Sequence, residues 1–342
     1  QLAPDAPLVE RLTRLVAADR VDEAQELLAS LPVGPTEHFA GDYEGLVLAL
    51  DLVAADQTAV VAEAAAELAP GAGAAAQLAS RAAKALEEDG DSEAAAALRL
   101  RFEDQLEASI RARSPVDAVP GRGWASLSGS VPLHEPGLHD ELAGAAWYRA
   151  EWASEERKQD LLAEGAVRIA AAMLLSEEEH APELPLLDDG RVSVVVPDHL
   201  LTEDFAPRLA TQTGRVHDLL SFLQRAGLPD AAAALYQAMV DLFPEDFTWH
   251  YRRSGFYEHI GDLERAVGAS RLALRWSYGD NRLRAAGRLA EQLHASGAVD
   301  EALAVVTEAL AAPTPPQSNV RTHRYRAALT EKRDAWAEAE PR

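Results

Sequence analysis

Three short constellations in this chain hold residue types able to do chemistry, and in each the spacing decides which chemistry is open. His134-Glu135-Pro136-Gly137-Leu138-His139 gathers two histidines and a carboxylate. Zinc hydrolysis from a helix needs the histidines one turn apart with the glutamate as base. Here they are five residues apart and Pro136-Gly137 breaks the helix, so the spacing argues against a metal site. Gly71-Ala72-Gly73-Ala74-Ala75-Ala76 shares glycines with a dinucleotide-binding turn. That chemistry needs a strand before the turn, and the preceding Ala59–Leu68 is helical in pattern, so the segment reads as a helix-to-helix turn. Arg271, Arg275, Arg282, Arg284 and Arg288 follow closely on one another, with Trp249, Trp276 and Tyr278 nearby. Guanidinium forks suit carboxylates and stack on aromatic rings. This cluster suits an acidic partner, or the acidic half of the same or a neighbouring chain. The plainer reading is a solvated charged face with Trp276 buried between repeats. No serine elbow, phosphate loop or paired-carboxylate pattern appears, so the chain reads as a non-enzyme with no cofactor and no metal.

The elements that carry these residues are helical. Hydrophobic residues make up 48% of the 342, but only 6% are aromatic. The excess is alanine, the strongest helix former. Cysteine is absent, which excludes disulfides, thiol catalysis and cysteine-based zinc sites. No apolar run is long enough to span a membrane. Gln1 together with the lack of cysteine gives an expectation of an exported protein, periplasmic or extracellular, with a signal peptide removed before Gln1; the alternative is cytoplasmic. Net charge is −24. From Glu245 onward there are 14 basic and 14 acidic residues, leaving 18 basic and 42 acidic residues to carry the whole imbalance. Such a body repels phosphate backbones, so nucleic acid is not an expected partner.

Residues 5–110 read as three degenerate helical hairpins within an N-terminal block, 1–112. Leu8, Leu12, Leu15 and Val16 form a stripe at helical spacing. The turn at Asp19-Arg20 leads into a helix bearing Leu27, Leu28 and Leu31, and Pro32 and Pro35 end the unit. Gly90-Asp91-Ser92-Glu93 is close in pattern to Gly261-Asp262-Leu263-Glu264. Prolines and glycines across 113–137 predict a loop, functional, partly ordered or disordered, in which Trp124 docks onto the body. A third block, 138–200, holds two long helices near 138–153 and 155–178. Ser154 caps the second, and Trp147 and Trp152 serve as core anchors in an alanine-rich interior. Asp188-Asp189-Gly190 between apolar segments predicts a β-hairpin near 184–196, the one β element expected.

Gly227, Gly261 and Gly297 lie 34 and 36 residues apart, each before a short turn and an alanine-rich helix. A period of that size marks stacked helical hairpins, since one hairpin cannot bury its apolar face alone. Placed side by side, residues 213–246, 247–280 and 283–316 resemble tetratricopeptide repeats. Ser254 and Tyr257 fall in a first helix and Gly261-Asp262 in the turn. Ala266 with Ala273, and Ala302 with Ala309, supply the paired small residues of second helices. Gly227, Ala232, Tyr236 and Pro244 also match, while Met239 replaces a small residue and Tyr278 stands where proline is usual. The likeness is clear over 213–316 and loose over 5–110. The expected fold is therefore an all-α solenoid, with repeats in a block 201–316. Pro313, Pro315 and Pro316 break the array, and a capping helix follows in 317–342.

What the resemblance implies is a concave groove lined by first helices that takes a peptide or extended segment. By position its residues are His217, Ser221, Gln224, Tyr251, Arg252, Glu258, Arg284, Arg288 and Glu291. The lysine and asparagine that the family uses to clamp a C-terminal carboxylate are missing, so that ligand is not implied. The expected function is a scaffold or accessory subunit for protein partners in a larger, cell-envelope assembly, associated with a membrane complex without spanning the membrane. The alternatives are a transient peptide-binding adaptor and an enzyme with no recognisable motif.

Overall fold

The computed structural model describes residues 6–120, 126–177, 184–312 and 320–339. Gln1, Trp124 and the prolines 313, 315 and 316 lie outside the described residues. The chain divides into two compact units, residues 1–208 with 212–228, and residues 209–211 with 229–342.

The fold is all-α, with helical hairpins packed on their sequence neighbours in solenoid fashion. In the first unit the hairpins are α1 (Leu8–Ala17) with α2 (Val21–Ala29), α4 (Tyr43–Leu50) with α5 (Ala55–Glu67), and α6 (Ala72–Glu88) with α7 (Ser92–Arg113); a single turn, α3 (Pro35–His38), lies between the first two. Their interior is largely alanine, with Ala62, Ala65, Ala76, Ala79, Ala82 and Ala83 essentially buried. Small side chains let the helices approach closely. The larger fillers are Leu12, Leu46, Phe102 and Leu142.

Residues 113–137 depart from the expected loop. β1 (Asp117–Pro120) and β2 (Leu127–Pro132) form an antiparallel pair there, and Pro136 opens α8 (Pro136–Trp152) at its first turn, where a missing N–H costs nothing. β3 (Arg191–Val196) completes a three-stranded sheet in the order β1-β2-β3. The predicted Asp-Gly hairpin is present: the Leu187 N–H donates to the Arg191 carbonyl at 2.8 Å, and Gly190 has a φ of +80°. It is not the only β element. Ser128-Gly129-Ser130 carries little strand propensity, and its partner β3 lies far along the chain, so only tertiary pairing makes β2 a strand. The sheet packs on α9 (Glu155–Leu175) through Leu127, Val131, Val192, Val194 and Val196.

α9 is buried along most of its length, and Ser154 caps it, its Oγ accepting from the Arg157 N–H at 3.4 Å. Trp152 serves a polar role as well as a packing one, donating to Glu103 at 3.1 Å. Glu103 and Glu107 hold the fully buried Arg149. The unit ends in α10 (Thr213–Arg225). That helix is the first of residues 213–246, so the block expected at 201–316 is shared between the two units.

The second unit runs α11 (Pro229–Leu242), α12 (Phe247–His259), α13 (Leu263–Trp276), α14 (Asp280–Ala295), α15 (Val299–Ala311) and α16 (Val320–Ala339). The paired small residues Ala266, Ala273, Ala302 and Ala309 are buried. α16 closes the array against α14 and α15. Leu329 and Trp336 join the core there, and Arg326 donates to the Leu310 and Ala312 carbonyls at the end of α15.

Candidate partner-binding face

The helices that would line a groove in the second unit, α12 and α14, are set in place by α13, which packs against both. Asp246 caps α12 by accepting from the Thr248 N–H. The three helices are keyed by a buried polar network. Gln292 donates to Ser254 Oγ at 3.2 Å and to Glu258 Oε2 at 2.8 Å, and Ser270 Oγ donates to Gln292 Oε1 at 2.7 Å. The Ser270 proton is then used, so in the 2.7 Å contact between the two hydroxyls Ser254 is the donor. Every member is satisfied, which is what makes a buried polar network fix register rather than weaken the core.

On this scaffold Tyr251 of α12 meets two guanidinium groups of α14. Arg284 lies 4.4 Å and Arg288 3.7 Å from the Tyr251 ring centroid. The Arg288 Nη1 also donates to the Tyr251 carbonyl at 2.7 Å. Gly255 makes this approach possible, since a Cβ there would sit 3.0 Å from Arg288 Nη1. Phe247 supports the tyrosine ring from the preceding turn at 5.1 Å. Among the described residues no carboxylate pairs with Arg252, Arg284 or Arg288. Other arginines of the sequence cluster are paired: Arg271 with Glu301 at 2.6 Å and Arg282 with Glu308 at 3.7 Å. Arg275 lies over Trp276 at 5.2 Å.

The structure thus brings together Tyr251, Arg284 and Arg288, with Arg252 exposed on the same helix as the tyrosine. Glu258 is engaged elsewhere, accepting from Gln292 one turn beyond Arg288 on α14. Glu291 is held by Lys332 of α16, so it is an internal tie between α14 and the last helix. His217, Ser221 and Gln224 stand on α10 and belong to the first unit. Trp276 is half-buried rather than enclosed between repeats, whereas Trp249 is buried. Sequence reasoning missed Phe247, Gly255 and Gln292. Gly255 had a readable signal, because glycine inside a helix costs about 1 kcal/mol relative to alanine and often marks a close approach.

Chemically the face offers planar cations with N–H edges unspent on carboxylates, backed by an aromatic ring that restricts their motion. That arrangement receives carboxylates in a forked geometry. Compared with known proteins, the chain matches no family model, and a search of curated proteins finds no relative.

Proposed function

We propose that the chain is a non-catalytic helical-repeat scaffold of tetratricopeptide type, which holds a protein partner by laying an acidic, extended segment of it across α12 and α14. The observation that carries this reading is the pair Arg284 and Arg288, stacked on Tyr251 with no carboxylate of the described chain against them. They lie in the charge-neutral part of the chain from Glu245 onward, while the preceding residues carry the whole −24. Support for the repeat type comes from the buried small pairs Ala266/Ala273 and Ala302/Ala309 and from the recurring Gly-turn geometry.

The rest of the body is acidic, which opposes an acidic partner at long range. At physiological ionic strength charges beyond about 8 Å are largely screened, so contact-range pairing decides the affinity. The test is fluorescence anisotropy with a labelled extended peptide of alternating glutamate and serine against the full chain. Tyr251→Ala with Arg284→Ala should weaken binding at least about tenfold, equivalent to about 1.4 kcal/mol, while the circular dichroism stays unchanged. Full affinity in that double variant sinks the assignment of the face. A permanent subunit, rather than a transient adaptor, is the form favoured if the native partner stays bound in high salt.

A further inference from the structure

One recess in the first unit is independent of partner docking. α8 and α10 both pack on α9. Asp140 meets Arg215 at 2.8 Å, and seven residues further along each helix Trp147 meets Phe222 edge-to-face at 5.1 Å. The two contacts close the ends of a slot floored by Ile169 of α9. Two helical turns separate the ends, about 10 Å, too short for a partner helix or strand. The volume is about 490 Å³, which lies in the range of small-molecule sites.

The glycines that line the slot are not required by packing. Gly144 stands in the middle of α8, where glycine costs stability relative to alanine. Its φ is not left-handed, and nothing lies within 4 Å of where its Cβ would stand. Gly214 on α10 is equally open. Gly165 of α9 is the contrast, because a Cβ there would meet the Phe222 ring at 2.2 Å. Departures from local preference without a packing return are expected at functional sites. Here they keep two walls cut back.

The charges of the slot are spent. Both oxygens of Asp140 are held by Arg215, which also donates to Ser176 and Gln212. Asp218 is engaged as well. A charged ligand would therefore lose its hydration without gaining a counter-ion, which is costly. A neutral one meets aromatic and aliphatic surface at Trp147, Phe222 and Ile169. Arg225 stacks on Trp147 at 4.0 Å and Gly165 seats Phe222, so both rings are held before a ligand arrives. One polar position remains. The Ser221 hydroxyl gives its proton to the His217 carbonyl at 2.9 Å, which leaves its oxygen as an acceptor.

We propose that the slot binds a neutral, flat, fused-ring aromatic molecule carrying one N–H or O–H group. The ring body lies against Trp147, Phe222 and Ile169, and its single donor bonds to Ser221 Oγ.

The test is isothermal titration of the full chain with indole. Tryptamine and indole-3-acetate, titrated separately, add a cation or an anion to the same ring. Indole should bind with a Kd below about 1 mM, a reasonable strength for so small a ligand, and neither charged analogue should bind more tightly. Gly144→Leu should weaken indole binding at least about tenfold, because leucine suits a helix but fills the open space. Gly214→Leu does the same from the opposite wall if the first variant fails to fold. Ser221→Ala, which leaves both helices intact, should weaken binding at least about threefold. Absence of indole binding to the native chain, tighter binding of either charged analogue, or unimpaired binding in Ser221→Ala or in a folded leucine variant would each overturn the proposal.

Discussion

His139, the second histidine of residues 134–139, is an interior group. It is fully buried in α8, and its ring nitrogens make at most a weak contact with the Pro132 carbonyl. Burial, and then the nearby Arg168 and His134 charges, lower its pKa from 6.5 to about 4. The neutral ring is the folded form, so the unfolded chain binds the extra proton between those values. Stability is complete above pH 6.5 and falls as the pH drops towards 4. At about 1.4 kcal/mol per pH unit, acidification from 6.5 to 5 should remove about 2 kcal/mol. Urea denaturation at pH 7 and pH 5 checks this, and His139→Leu should flatten the difference. His199 shifts the same way through burial, so the variant is needed to isolate His139. Glu103 and Glu107 do not enter. Burial would raise them, but Arg149 holds both below the usual carboxylate range, so their titration lies below this window.

Among the elements, the recurring unit is a turn rather than a helix. At Gly90, Gly261 and Gly297 the glycine N–H closes on the carbonyl three residues back, and the next N–H reaches the carbonyl five back. This six-to-one and five-to-two pair ends a helix with a left-handed residue. Asp91 and Asp262 then cap the following helix through the Ala94 and Arg265 N–H groups. Asp19 occupies the same place between α1 and α2 with a φ of +58°, against +80° at Gly261. A side chain there carries a left-handed penalty of about 1 kcal/mol. Gly261→Ala should therefore destabilise by about 1 kcal/mol, and Asp19→Gly should stabilise by up to about that amount. The shift in urea midpoint reads both, and a destabilised Asp19→Gly would show that the aspartate side chain has a tie of its own. These turns were legible because glycine before a polar cap is a local signal. The strand at Leu127–Pro132 was not, because its stability comes from β3 and α9 rather than from its own residues.

For the whole molecule, charge sets behaviour more than any single ion pair does. The chain carries −24 at pH 7 and has an isoelectric point near 4.8. Self-repulsion keeps it dispersed at neutral pH and vanishes near that point. Light scattering should therefore rise as the pH approaches about 4.8 and fall again on return to pH 7. A clear solution throughout would mean that local patches, not net charge, control association. Among the described residues no helix is long and apolar enough to cross a membrane.

The all-α class, the helical hairpins, the turn positions and the acidic imbalance are legible in the residues alone, because each rests on interactions within a few residues or on composition. Tyr251, Arg284 and Arg288 are legible too, though only through position in a repeat. The tertiary structure decided which arginines are already paired, that Gly255 admits Arg288 beside α12, that Glu291 is tied to Lys332, and that α10 belongs with the first unit. The reason is physical. A side chain's type fixes the bonds it can make, whereas the partner it meets across a helix interface depends on packing between segments distant in sequence.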